Sequence, residues 1–374
     1  MRLKKIVSLF IFLFTTTALV RADGPTIGGF VDFAYNYNFN KQTTNVLRTF
    51  DANANSFTLQ DGKVAVSGTT KDNVTYRVDV IYGFDASVIH SGLKDAISQA
   101  YVSPANTTTQ IDLEQAFVSY PCPWTAGTWT VGKFSTPFGA EVIEAKDDLN
   151  ISRGFLFNYA IPFTHTGIKY EKVWGPLDAV ASVVNGWDNL QDNNKGKTVI
   201  GQVTYTINPK IKAVLGGAYG PEQTSHPNVP NGSTEKNGRS LVDAIVTYTP
   251  TDKLTLDANA DWGVEEGLTA VDANNRTQNW QGVAVHANYA FTDKNSAAVR
   301  FENLADDGSR TGSPVPIVLD SLTLTLQHKL ATSVITRLEY REDTSNKKAF
   351  TDTHGVVSSK KNQSTVGAQV IYTF

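Results

Sequence analysis

Apolar and polar residues alternate one for one over long stretches of this chain. Leu254, Leu256, Ala258, Ala260, Trp262 and Val264 enclose Thr255, Asp257, Asn259 and Asp261. Leu322, Leu324 and Leu326 sit between Ser321, Thr323, Thr325 and Gln327. The last residues set Val366, Ala368, Val370, Tyr372 and Phe374 against Gly367, Gln369 and Thr373, with Ile371 as the exception. A period of two gives a strand one apolar and one polar face. No segment after the N-terminal leader approaches the ~20 continuous apolar residues of a membrane-spanning helix.

The connections between such strands fall into two classes. Short turns recur at 70–73, 121–124, 174–176, 208–210, 250–252, 292–294 and around 329–330. Longer polar stretches alternate with them, at 40–54, 86–108, 136–163, 188–196, 221–237, 266–277, 306–316 and 343–363. A soluble β-sandwich has no reason to gather its long loops at one end, whereas an outer-membrane barrel has short periplasmic turns and long outer loops. The pattern predicts an all-β, transmembrane, antiparallel up-and-down barrel of sixteen strands with both termini on the short-turn side. The strands are expected near 27–39, 55–68, 73–85, 110–120, 127–135, 164–173, 176–187, 197–207, 210–220, 239–249, 252–265, 278–290, 294–304, 317–328, 331–342 and 364–374. Most are long enough to cross a bilayer at the tilt of such barrels. Two of them change parity part-way. In 55–68 the apolar set moves from Phe57/Leu59 to Val64/Val66, which a bulge near Gly62 would explain. In 110–120 it moves from Ile111/Leu113 to Ala116/Val118/Tyr120. Loss of one hairpin would leave fourteen strands. Tyr35, Tyr37, Phe39, Tyr82, Tyr120, Tyr170, Tyr205, Tyr219, Tyr248, Tyr289, Tyr340, Tyr372 and Phe374 fall near strand ends, as the aromatic girdles of a barrel require.

The N-terminus and the composition fit this reading. Arg2, Lys4 and Lys5 precede an apolar run from Ile6 to Val20, and Val20-Arg21-Ala22 offers a cleavage site before Asp23. Residues 1–22 are therefore expected to be a signal peptide, with 23–374 forming a single barrel domain. Removing four positive charges with the leader takes the net charge from −3 to −7. That balance gives no electrostatic reason to bind nucleic acid. One Cys and one Met exclude a disulfide scaffold and a cysteine-ligated zinc site. Charged residues are only 18% of the chain, against roughly 25% in an ordinary soluble domain, which argues against a charge-rich coiled coil.

One block of sequence resembles a known family. Gly132-Lys133-Phe134, Pro137-Phe138-Gly139-Ala140-Glu141-Val142-Ile143-Glu144, Asn150 and Ser152-Arg153 are similar to the OmpL-like putative β-barrel porin-2 family. So are Leu156-Phe157-Asn158-Tyr159-Ala160-Ile161-Pro162-Phe163, His165-Thr166-Gly167 and Val184-Asn185-Gly186-Trp187-Asp188. The resemblance implies an outer-membrane barrel of porin type and assigns no substrate or functional residue.

Read physically, 136–163 is the loop between the fifth and sixth strands. Its segment 141–149 lacks Gly and Pro, which suits a short helix. An exposed Phe155–Phe163 run would be an adhesive apolar patch, so the loop is expected to fold into the lumen. The candidate constriction is then Glu141, Glu144, Lys146, Asp147, Asp148 and Arg153. Parity places Arg77, Asp79, Lys169, Glu171, Lys212, Asp243, Asp257, Asp261, Arg300, Glu302, Arg337, Glu339 and Arg341 on the lumen wall, a mixed lining expected of a wet channel. A small negative excess on the loop suggests a weak preference for cations.

Catalytic patterns are weak. Six histidines lie at 90, 165, 226, 286, 328 and 354 without metal-ligand spacing, and no G-x-S-x-G occurs. His165 beside Thr166 reads as a hydrogen-bonded strand residue, and Cys122 as a free thiol in a short turn. The sequence therefore points to a non-enzymatic porin for small hydrophilic solutes, without cofactor or metal, in a bacterial outer membrane. The alternatives are a barrel enzyme of lipase or protease type, and an adhesin acting through its outer loops. The expected partners are membrane lipid, lipopolysaccharide and the barrel-assembly machinery, which would read the strand ending at Phe374. Homo-oligomers are compatible with such a barrel.

Overall fold

Where apolar parity runs unbroken, each segment forms one strand, and the places where parity breaks mark bulges or strand ends. A computed structural model of the chain describes residues 24–90, 110–223, 237–267 and 277–374. The expected signal peptide lies outside the described residues, as do parts of three outer loops and His226. Sixteen strands close into an antiparallel barrel in sequence order. They are β1 (Thr26–Asn38), β2 (Ser56–Thr69), β3 (Thr75–Tyr82), β4 (Ile111–Pro121), β5 (Thr128–Ser135), β6 (Thr164–Trp174), β7 (Leu177–Val184) and β8 (Thr198–Asn208). The second half comprises β9 (Ile211–Pro221), β10 (Gly238–Thr251), β11 (Leu254–Glu265), β12 (Gln278–Ala290), β13 (Asn295–Asp306), β14 (Ile317–Ala331), β15 (Val334–Ser345) and β16 (Asn362–Thr373). The seven short turns and eight long connections alternate as the sequence pattern put them, except that the last turn falls at 332–333 rather than around 329–330, because β14 runs on to Ala331. The segment 83–110 is as long as 136–163.

Closure joins the chain's ends. β1 pairs with β16 from Phe30/Thr373 to Asn38/Thr365. Phe374 extends the seam by exchanging backbone hydrogen bonds with Gly29, both 3.1 Å, and its ring stacks on Tyr372. Exposed apolar residues recur at the outward positions along the strands, for example Val283 and Val285 on β12 and Leu322, Leu324 and Leu326 on β14. This inside-out distribution is the lipid-facing band of a membrane barrel.

Both parity shifts are bulges. Asp32 pairs with Asp61 but Phe33 with Leu59, so Gln60 is the extra residue in β2. Asp79 pairs with Gln115 but Val80 with Leu113, which makes Glu114 the extra residue in β4. An extra residue flips the side-chain alternation. Asp61 and Lys63 beyond the first bulge, and Glu114 at the second, thereby face the lumen and are buried. β3 ends earlier than expected. Gly83 has φ 141°, a conformation that disfavours any side chain, and α1 (Phe84–Ile89) follows it into the interior. β7 likewise stops at Val184, and Trp187 turns inward with its backbone amide donating to Glu222 Oε2 at 2.8 Å.

The lumen contains an apolar core of its own. Phe50 from the 39–55 connection, Phe84 and Ile89 from α1, and Phe155, Phe157 and Phe163 from 136–163 pack together with wall residues such as Trp280 and Leu304. Phe50 meets Phe157 and Phe163 at ring-centroid distances of 5.6 and 5.3 Å. Three connections, rather than one, therefore fill the interior.

Candidate pore and its inward segments

The segment 136–163 leaves β5, crosses the lumen and returns to β6 while bonding to most of the far wall. Its course is fixed mainly by backbone groups that find side-chain partners, since a buried carbonyl or amide without one is costly. The Ala140 amide donates to Asn259 on β11 at 3.2 Å, and the Trp280 indole on β12 donates to the Ala160 carbonyl at 3.0 Å. Glu339 on β15 accepts from the amides of Ile151 (2.6 Å) and Ser152 (3.0 Å). Arg337 donates to the carbonyls of Ala145 (2.7 Å) and Asp148 (2.6 Å), and Arg341 to that of Arg153 at 2.7 Å. The expected helix over 141–149 does not form. Only one 3₁₀ turn occurs, at Ala145–Asp147, and a π-helical turn forms instead at Leu156–Ala160. The reason is competition: wall side chains capture the backbone groups that a helix would pair internally.

The candidate constriction residues divide between paired, buried groups and one more accessible pair. Arg300 donates to Glu141 at 2.5 Å, and the other Glu141 oxygen accepts the Gly154 amide at 2.7 Å. Glu144 accepts from Lys63 at 2.5 Å. Asp148 accepts the Val142 amide at 2.9 Å and lies 3.1 Å from Arg153, whose guanidinium also covers the Phe50 ring. Lys146, half-buried, and Asp147, exposed, pair with each other. Burial pushes the Glu141 carboxyl up, but the Arg300 guanidinium, with His286, the Gly154 amide and Arg153, outweighs it and holds the group below the usual glutamate range. Glu144 is likewise depressed, since Lys63 and Lys146 outweigh its burial. These carboxylates face basic wall groups rather than open water, so the negative excess expected on the loop is largely compensated.

The wall residues also separate into two sets. Asp79, Asp243, Asp261, Arg300, Glu302, Arg337, Glu339 and Arg341 are buried by the inward segments. Arg77, Lys169, Glu171, Lys212 and Asp257 remain half-buried, Lys169 at the centre of β6 and the others toward the ends of their strands nearest the short turns. The wholly wet lining expected from parity is therefore confined to that half. Ion pairs along one strand, Arg300–Glu302 at 3.1 Å and Arg341–Asp343 at 2.7 Å, occupy much of the rest.

Parity alone missed several buried groups. Lys63 sits among Asp79 (2.9 Å), Glu114 (3.0 Å) and Glu144 (2.5 Å). Those three carboxylates lie close enough to hold a metal ion, but the ammonium stands where the ion would be. Arg48 bonds Asp51 and Asp343, at 2.7 and 2.8 Å, from a stretch read as an outer loop. The legible signals were the two parity shifts and one phenylalanine, Phe50, within a polar run. Gly154 shows how tight the docking is: a Cβ there would lie 2.0 Å from Glu302 Oε1 and 2.7 Å from Glu141 Oε2. Gly154→Ala is expected to displace the loop and raise single-channel conductance. Wild-type conductance in that variant would mean that the loop does not limit flow.

Comparison with known proteins agrees with the architecture. OmpT of Vibrio cholerae, folded in vitro, superposes with a TM-score of 0.61 at 12% identity, over 96% of this chain and 100% of that one. Its trimer form gives 0.61 at 14% identity, covering 95% and 100%. An anion-selective porin from Comamonas acidovorans gives 0.62 at 11% identity, covering 94% and 99%. At such identities the likeness shows the fold alone. No curated protein matches by sequence. The model of one family, "Putative beta-barrel porin-2, OmpL-like", matches residues 24–374. With its closed sixteen-strand barrel and apolar outer face, the chain belongs to that porin family and is an integral protein of the outer membrane.

Proposed function

We propose that the protein is a narrow passive channel for small hydrophilic solutes and ions, with segment 136–163 as its limiting element. The observation that carries this reading is the anchoring of that segment across the lumen, from Asn259 on β11 to Glu339 on β15. A barrel of this strand number is too wide for wall side chains alone to fill. The segment, together with α1 and the 39–55 connection that pack against it, therefore sets the free cross-section. Among the wall groups that stay partly open, Arg77, Lys169 and Lys212 oppose Glu171, Asp257 and Asp178. Mixed charge of this kind gives weak selectivity at best, strongest at low salt, where screening is least. Planar-bilayer recording on refolded protein tests the proposal. Discrete low-conductance events are expected, and a folded barrel that conducts nothing would overturn it in favour of an adhesive or hydrolytic role for the outer loops.

Assembly and surroundings form part of the same reading. The strand ending Val370-Ile371-Tyr372-Thr373-Phe374 suits recognition by the barrel-assembly machinery, and outer-leaflet lipopolysaccharide would surround the upper half of the band. Deleting Phe374 removes both seam bonds to Gly29 and the stack on Tyr372. Insertion in cells is expected to fall more than the stability of barrels that do form. Unchanged outer-membrane levels would argue against this assembly signal. The trimer form of the similar OmpT barrel extends the proposal to a homo-oligomer, which chemical crosslinking in membrane vesicles would display.

A further inference from the structure

We propose that a groove on the lipid-facing wall of the barrel holds one acyl chain of an inner-leaflet glycerophospholipid, with the headgroup against His328 and Asn295. The groove has a volume of about 520 Å³ and crosses the closing seam. Its floor is formed by small Ala368, and Tyr35, Leu338, Leu326 and Val370 rise around it. The registers Tyr35–Ala368, Ala368–Leu338 and Leu338–Leu326 place these side chains in one row across β1, β16, β15 and β14. All have the outward parity that faces hydrocarbon, so the groove is continuous with the bilayer interface.

The dimensions suit one chain. From β13 to β1 the row spans four inter-strand spacings, about 19 Å at ~4.8 Å each. The strands of such barrels are tilted, so the row climbs obliquely from the periplasmic end of β13, past Ala368 at the middle of β16, to Tyr35, the tenth of the thirteen residues of β1. One leaflet contributes only about 15 Å of the hydrocarbon thickness, so a chain rooted at the periplasmic surface occupies the part of the groove over β14, β15 and β16 and ends near Ala368.

The lower end of the groove differs chemically from the rest of the outer face. His328 has outward parity between Leu326 and Leu330, which are 60% and 63% exposed. Its Nδ1 lies 2.8 Å from Asn295 Oδ1, and Thr336 Oγ1 donates to the His328 carbonyl at 3.1 Å. This leaves Nε2 outside the pair, on an exposed ring at the level of the headgroups. Lys294 and Lys329 are exposed directly below and adjacent, the Lys329 amide donating to the Lys294 carbonyl at 2.8 Å. Basic groups at the membrane surface attract lipid phosphate. Apolar floor, polar stop and basic rim thus follow the order of chain, glycerol and phosphate in a single lipid.

Native mass spectrometry of refolded protein in mixed micelles with dioleoylphosphatidylglycerol and lipid A in equal amounts tests the proposal. Wild type is expected to retain one lipid through detergent stripping. Ala368→Phe, which fills the floor, should reduce retention about tenfold, whereas Ala258→Phe, outward on β11 and away from the groove, should not. Heat-modifiable gel mobility identifies folded barrels, so loss of lipid is compared only among those. Equal retention by Ala368→Phe and wild type would overturn the proposal. Retention of lipid A in place of the phospholipid would overturn the inner-leaflet assignment. A wild-type oligomer that carries no lipid and dissociates in Ala368→Phe would show that a second copy occupies the groove instead. All these readouts are independent of conductance, so failure here leaves the channel reading standing.

Discussion

Deletion of residues 141–149 is expected to raise single-channel conductance by at least about twofold and to move the reversal potential toward anions. The segment carries the carboxylates that meet Arg300 and Lys63, and the backbone that meets Arg337. Its removal opens cross-section and leaves three basic wall groups facing water. The double variant Glu141→Gln and Glu144→Gln should move both quantities the same way, less strongly. Removing one member of a buried pair costs about 3–5 kcal/mol where the remaining charge is left without compensation, and less here, because Arg300 keeps Glu302 and Lys63 keeps Asp79 and Glu114. That cost falls on the docked state of the loop and favours its release. Acid should mimic the double variant. Both carboxyls are held below their usual range in the folded protein, so the stability they contribute is present above the ordinary glutamate pKa and is lost as pH falls through the depressed values. Conductance measured down a pH series should therefore be flat near neutrality and rise only in acid. Unchanged conductance in the deletion would place the segment outside the conduction path.

Val285→Arg is expected to be the most damaging single change on the outer face. Val285 is 51% exposed near the centre of β12, and a midplane arginine on the lipid face costs about 2–4 kcal/mol. Leu256→Arg, though it shares the outward parity, should cost about 0–1 kcal/mol, because Leu256 is only the third residue of β11 after its turn and lies near the interface. Urea unfolding of the two variants in lipid vesicles would show the difference, and equal destabilisation would refute this depth assignment. The inward neighbour Asn259 is not the tolerant site that its parity suggests. It donates to Asp243 at 2.8 Å and accepts from Ala140 at 3.2 Å, so Asn259→Arg should disturb the loop rather than the barrel.

The sequence by itself determined the barrel. Alternation over ten or more residues, seven short turns between eight long connections, and apolar residues on the outer parity follow from local chain geometry and from the solvent on each face. Each of these is written within a few neighbouring residues. Even the bulges at Gln60 and Glu114 were visible as parity shifts. The family block 132–188 marked the segment that mattered, and its apolar run indicated where it would go. What fills the lumen was settled only by tertiary structure. Glu144 meets Lys63, Arg48 meets Asp343, and Thr49 meets Asn158 across separations of 81, 295 and 109 residues. No periodicity encodes such pairs, because an inward side chain has the same parity whether it faces water or another loop. The choice between a charged wall open to solvent and a wall that clamps three connections depends on partners brought together by barrel closure.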